Sequence, residues 1–149
     1  MSEYQYYEWQ TIDRPLSPNE KETISGLSSH METVTSTQAI VTYSWGDFKH
    51  DPRQVLQQYF DAHLYMANWG ARRLLFRFPK SVIDPQAIQP YCREDFLTLE
   101  LKGNYYILEF SLDDEEPDYE WLEGEGMLGK LTPIREQIMQ GDYRALYLG

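Results

Sequence analysis

His63 is the residue whose type and place most invite chemistry, because it interrupts an otherwise apolar helical pattern. Leu56, Tyr59, Phe60, Leu64 and Ala67 recur at helical spacing, and a step of about 100° per residue puts His63 near the middle of that face. An imidazole placed there meets a sheet rather than solvent. The functional reading is a ligand or proton-transfer residue at a helix–sheet boundary. The ordinary one is a core histidine satisfied by a backbone carbonyl or a tyrosine hydroxyl. Glu100 and Glu109 form a second group, diagonal neighbours on the polar face of a hairpin, with Arg73 and Arg77 beside them if the preceding strand is adjacent. Paired carboxylates divide acid and base roles when their surroundings separate their pKa values. A solvated cross-strand ion ladder is the commoner outcome.

The remaining candidates are weaker. His30 and His50 fall in predicted loops, no two histidines have helical metal spacing, and no metal or other cofactor is expected. Cys92 lacks a nearby signature of a catalytic thiol and reads as half-buried and inert. Gly124-Glu125-Gly126-Met127-Leu128-Gly129 spells G-x-G-x-x-G, but eight acids precede or enter it, which repels a phosphate. Asp114, Glu116, Asp118 and Glu125 fit positions 1, 3, 5 and 12 of a calcium loop, yet Tyr119 stands where the turn needs glycine. Trp45, Trp69 and the N-terminal tyrosines are either pocket-lining or core aromatics.

Charge is unevenly distributed. The net charge is −11; residues 1–112 hold 14 acids and 10 bases, whereas residues 113–126 hold 8 acids and no base. Such a chain is not expected to bind nucleic acid, whose partners present basic patches. The acidic segment sets Tyr119 and Trp121 among carboxylates, an anchor suited to a protein partner with a basic surface. The alternative is a solvated loop. The stretch 45–51, with an aromatic, acids and His50, is a second candidate surface, or a plain connection ending in an N-cap. A single cysteine fits a reducing compartment, no apolar run approaches the ~20 residues of a membrane span, and the N-terminus is unlike a signal peptide. A cytoplasmic location is therefore expected.

Several elements must position these groups. Residues 4–12 read as a strand, and Ser17-Pro18-Asn19-Glu20 has the form of a capping box opening a short helix. Residues 28–37 read as a loop, and 38–45 as a second strand. Asp51-Pro52 opens the principal helix, over 51–69, which Gly70 ends. Residues 72–79 alternate as a third strand, and Asp84-Pro85 starts a short helix. Gly103-Asn104 makes a two-residue turn that pairs Lys102 with Tyr105, Glu100 with Ile107 and Thr98 with Glu109. That register places Leu97, Leu99, Leu101, Tyr106, Leu108, Phe110 and Leu112 on one face. Thr132-Pro133 caps a helix through Met139, and a further helical pattern covers 143–148. The order predicts an α+β fold, a mainly antiparallel sheet with a hairpin in the C-terminal half and helices packed on one face. At this length one domain, spanning 1–149, accounts for the chain.

The stretches Ser2-Glu3-Tyr4-Gln5-Tyr6-Tyr7-Glu8-Trp9-Gln10, Asp13-Arg14-Pro15-Leu16, Trp45-Gly46-Asp47-Phe48, Tyr59-Phe60-Asp61-Ala62 and Ala67-Asn68-Trp69-Gly70, with Arg73, resemble a bacterial family of uncharacterised proteins. The resemblance covers about the whole chain and implies the N-terminal domain of a longer protein. It brings no activity, cofactor or site residue. The first expectation is a protein-interaction or structural module without catalysis of its own, binding through Asp113, Asp114, Glu115, Glu116, Asp118, Tyr119 and Trp121. The alternative is a small-molecule-binding or hydrolytic enzyme using Arg73, Arg77, Glu100, Glu109 and His63.

Overall fold

Proline after a capping side chain starts three helices where the sequence predicts them. In the computed structural model, which describes residues 4–43, 48–67, 70–93, 95–111 and 127–147, Ser17 and Glu20 cap α1 (Pro18–Ser25) reciprocally. Arg14 beside Glu20 and the Ser17 N–H hold the Glu20 carboxyl down to about 2. Asp51 accepts from the Arg53 N–H at the start of α2 (Pro52–Tyr59), and Asp84 from Gln86 N–H at α3 (Pro85–Ile88), which runs on into a 3-10 turn, Gln89–Tyr91.

The principal helix is shorter than its pattern predicts. Phe60 is extended, with φ −130° and ψ 168°, and Ala62–Ala67 is strand β4 rather than helix. The physical reason is burial on both sides. Ala62, Leu64 and Met66 face one core and His63, Tyr65 and Ala67 the other, so no polar alternation marks the strand. A short apolar run then fits helical spacing equally well. Gly70, with φ 105°, serves the turn between strands instead of a helix end. Residues 28–37 also differ from expectation, since Met31–Val34 forms a short edge strand, β2, with a bulge in its pairing.

Among the described residues seven strands form one antiparallel sheet: β1 (Gln5–Gln10), β2, β3 (Gln38–Tyr43), β4, β5 (Arg72–Pro79), β6 (Leu97–Lys102) and β7 (Tyr105–Ser111). Their spatial order is β2-β3-β1-β4-β5-β7-β6. The β6–β7 hairpin has the predicted register, turning through Gly103 at φ 61°. The fold class is thus α+β with a mainly antiparallel sheet.

Helices lie on both faces rather than one. On the hairpin-leucine face, Leu74, Phe76, Leu97, Leu108 and Phe110 pack under Ile88 of α3, Leu128 and Ile138 of α4 (Met127–Met139), and Leu146 of a 3-10 turn at Arg144–Tyr147. On the other, Trp9, Val41, Leu75 and Ile107 pack under Ile24 of α1 and Val55 and Leu56 of α2. Both layers are needed because both sides of the central strands are apolar. α4 begins five residues before the predicted Thr132 cap and contains Pro133. The missing Pro133 N–H would bond the Gly129 carbonyl; the Thr132 hydroxyl takes that carbonyl instead, at 3.1 Å. No helix among the described residues is long and apolar enough to cross a membrane.

Candidate functional site

Two rows of side chains run across the face that α2 covers. Strand register sets them: Trp9, His63, Leu75 and Glu109 lie side by side, and Tyr7, Tyr65 and Arg73 form the next row. The amino end of α2 stands over these rows, held by a hydrogen bond from Trp9 Nε1 to the Pro52 carbonyl at 3.2 Å. Between sheet and helix lies a pocket of about 250 Å³. Tyr7, His63, Tyr65 and Leu75 form its sheet side; Asp51, Pro52 and Arg53 form the helix side, and Arg73 and Glu109 complete it.

His63 is only 2 % exposed. Its ring stacks on Trp9 with centroids 4.7 Å apart and planes 19° apart, and its Nδ1 lies 2.9 Å from the Glu8 carbonyl. A carbonyl only accepts, so Nδ1 carries the proton and Nε2 keeps a lone pair. Nε2 makes no hydrogen bond to any described residue. Burial lowers the imidazole pKa to about 4, outweighing the opposing Glu8 hydrogen bond, and nearby Arg53 lowers it further. At neutral pH the ring is uncharged and Nε2 is left with an acceptor lone pair.

The charges around the pocket balance. Arg53 donates from Nη2 to Glu100 at 2.8 Å and from Nη1 to Glu109. Lys102 also reaches Glu100, at 2.9 Å, and Lys102 first, then Arg53, hold that carboxyl below its usual range. The preceding strand is adjacent, and Arg73 and Arg77 flank Leu75, the cross-strand partner of Glu109, while the arginine that bridges the two glutamates, Arg53, comes from α2. Arg77 sits deeper. It donates to Asp61 Oδ1 at 3.0 Å and to the Gln57 carbonyl at 2.7 Å, with its guanidinium 4.3 Å from the Tyr105 ring centroid. Of the enzymatic set, the pocket gathers His63, Arg73 and Glu109; Arg77 and Glu100 stand outside it. The hydroxyls of Tyr7 and Tyr65 donate to Gln5 Oε1 at 3.1 and 2.6 Å. No serine, threonine, cysteine or lysine is among the described lining residues, so they supply an acceptor and no hydroxyl, thiol or amine nucleophile of those types.

Other candidates separate from this site. His30 packs on Tyr43 with centroids 4.7 Å apart, and His50 on Phe48 at 5.5 Å. Phe48 is buried against Trp9, so it offers no exposed aromatic for a partner. No group of three metal-ligating side chains converges among the described residues. Cys92 is half-buried, and burial raises its thiol pKa despite a backbone hydrogen bond from Leu99. Asp113, Asp114, Glu115, Glu116, Asp118, Tyr119 and Trp121 lie outside the described residues, as do Trp45, Trp69 and Gly124 to Gly126 of the glycine motif.

Arg53, Tyr65 and Leu75 were not legible as site residues. Arg53 is the second residue of a helix, and its partners lie 47 and 56 residues away. The strand that carries Tyr65 reads locally as helix. No family model, curated protein or solved structure matches the chain.

Proposed function

We propose that this domain binds a small, flat, largely apolar molecule between α2 and the sheet. The observation that carries the reading is the pocket of about 250 Å³ whose sheet side consists of Tyr7, His63, Tyr65 and Leu75. Ring and methyl surface supplies most of the contact, as in small-molecule sites generally, with few polar atoms to orient the guest. The volume lies just below the ~300–1,000 Å³ of drug-sized sites, which fits a guest of one or two rings. Two arginines and two carboxylates around the pocket offset one another, so shape and hydrogen bonding select more strongly than net charge.

Amide shift mapping with one- and two-ring aromatic probes tests this. Perturbations are expected at Tyr7, His63, Tyr65, Leu75 and Arg53. Probes that bind while leaving those amides unmoved would remove the reading.

A second reading, supported by the eight acids and no base of residues 113–126, is docking of a basic protein partner through Asp113–Asp118, Tyr119 and Trp121. Neutralising those acids and replacing Trp121 is then expected to abolish capture of a partner that the unaltered protein retains. Equal capture by both proteins would exclude that segment as the docking surface.

A further inference from the structure

Shape alone leaves open which flat molecules the pocket admits, and one polar atom narrows the choice. The Tyr7 and Tyr65 hydroxyls are turned to Gln5, and Arg53 is engaged by Glu100 and Glu109. His63 differs from them. Its Nδ1 proton is committed to the Glu8 carbonyl at 2.9 Å, while Nε2 has no partner among the described residues. The stack on Trp9 and the backbone hydrogen bond together fix the ring plane, so the direction of the Nε2 lone pair is set before any guest arrives. A guest that excludes water from this atom without replacing its hydrogen bond leaves a desolvated acceptor unsatisfied.

Resting on the pocket reading above, we infer that His63 Nε2 is the specificity-determining acceptor of the site, and that the ligand is a one- or two-ring aromatic carrying an N–H or O–H donor. The rings of Tyr7 and Tyr65, with centroids 4.9 Å and planes 53° apart, provide aromatic surface for the ligand body. Arg73 and Glu109 lie at the periphery and tune the substituents that fit, while the donor meets His63. Aromatics of the same shape without a donor are disfavoured.

Indole and benzofuran make the test, because they differ by N–H against ring oxygen at nearly constant shape. Titration calorimetry on the intact chain is expected to show indole binding about tenfold more tightly, the difference one buried hydrogen bond makes. His63→Phe, which keeps a flat ring on Trp9 and removes the acceptor, is expected to bring indole down to the benzofuran affinity. A wild-type readout covers the case in which that variant folds poorly: the ¹⁵N resonance of His63 Nε2 should move on adding indole and stay put with benzofuran. Equal affinities for the two probes, with pocket amides shifting for both, would overturn the acceptor role while leaving the pocket reading intact. Failure of both probes and of the other aromatic probes to shift the pocket amides would overturn the two together.

Discussion

Asp61→Asn is expected to cost about 3–5 kcal/mol of folding stability, the scale on which removing one partner exposes an uncompensated buried charge. Asp61 is 1 % exposed and takes four interactions at the point where the chain leaves α2. The Ile12 and Asp13 N–H groups donate to Oδ2 at 2.6 and 2.9 Å, Arg77 donates to Oδ1 at 3.0 Å, and Arg135 Nη2 lies 3.7 Å from Oδ1. Arg135, 1 % exposed on α4, also pairs with both oxygens of Asp13 and donates to the Arg77 carbonyl at 2.9 Å. Neutral asparagine turns an amide toward groups that need an acceptor, and Arg77 is left buried without its counter-charge. Urea unfolding measures the change, and a loss below about 1 kcal/mol would refute this network as a stabilising unit. Asp61→Asn with Arg77→Met should recover part of the loss, since a neutral pair removes the orphaned cation.

The same carboxylate sets part of the acid limb. Burial alone raises the Asp61 pKa, but the two N–H donors and the arginines overcome it and the net shift is downward. A lowered folded pKa means that the contribution is fully present above the ordinary carboxylate range and is lost as pH falls through the folded value. Asp61→Asn should therefore flatten the stability profile in that acidic window and leave its slope near neutral pH unchanged.

Trp9→Ala is expected to cost about 3–5 kcal/mol, as buried Phe or Trp truncations do. The indole is 1 % exposed, packs on Phe48 and His63 with centroids 5.3 and 4.7 Å away, and ties the α2 amino end through Pro52. Leu101→Ala, at a side chain 47 % exposed, serves as the contrast and should change stability by less than about 0.5 kcal/mol. Equal midpoints for the two variants would place Trp9 outside the core. Trp9→Ala also bears on His63. Between the ordinary imidazole value of 6.5 and the folded value of about 4, the unfolded chain holds a proton that the folded chain refuses. Stability therefore falls as pH drops through that window and is unaffected above it. Opening the ring to water moves the folded pKa back up and narrows the window, which a pH series of urea midpoints on the two proteins would show.

Local chemistry was sufficient for some of this molecule. The hairpin register follows from the Gly103-Asn104 turn and the alternation on either side of it, all between Leu97 and Phe110. Ser17-Pro18, Asp51-Pro52 and Asp84-Pro85 start helices because cap and first-turn preferences are properties of neighbouring residues. The single arginine–glutamate face was legible as a set of residues, since a two-residue period fixes the side of each strand. What joins them was not. Arg53 reaches Glu109 across 56 residues, and Arg135 reaches Asp13 across 122.

The tertiary structure alone decided that 62–67 is a strand. Its residues fit a helix face equally well, and only pairing with β1 and β5, with a core on each side, selects the extended form. That decision brings His63 beside Trp9 and Leu75, forms the pocket under α2, and puts helices on both faces. The sequence by itself determined the three caps at Ser17, Asp51 and Asp84, the hairpin turn and the alternation beside it, because these interactions close over a few residues. Strand order and the pocket were decided by contacts between distant segments, whose stabilisation exists only once the chain has closed.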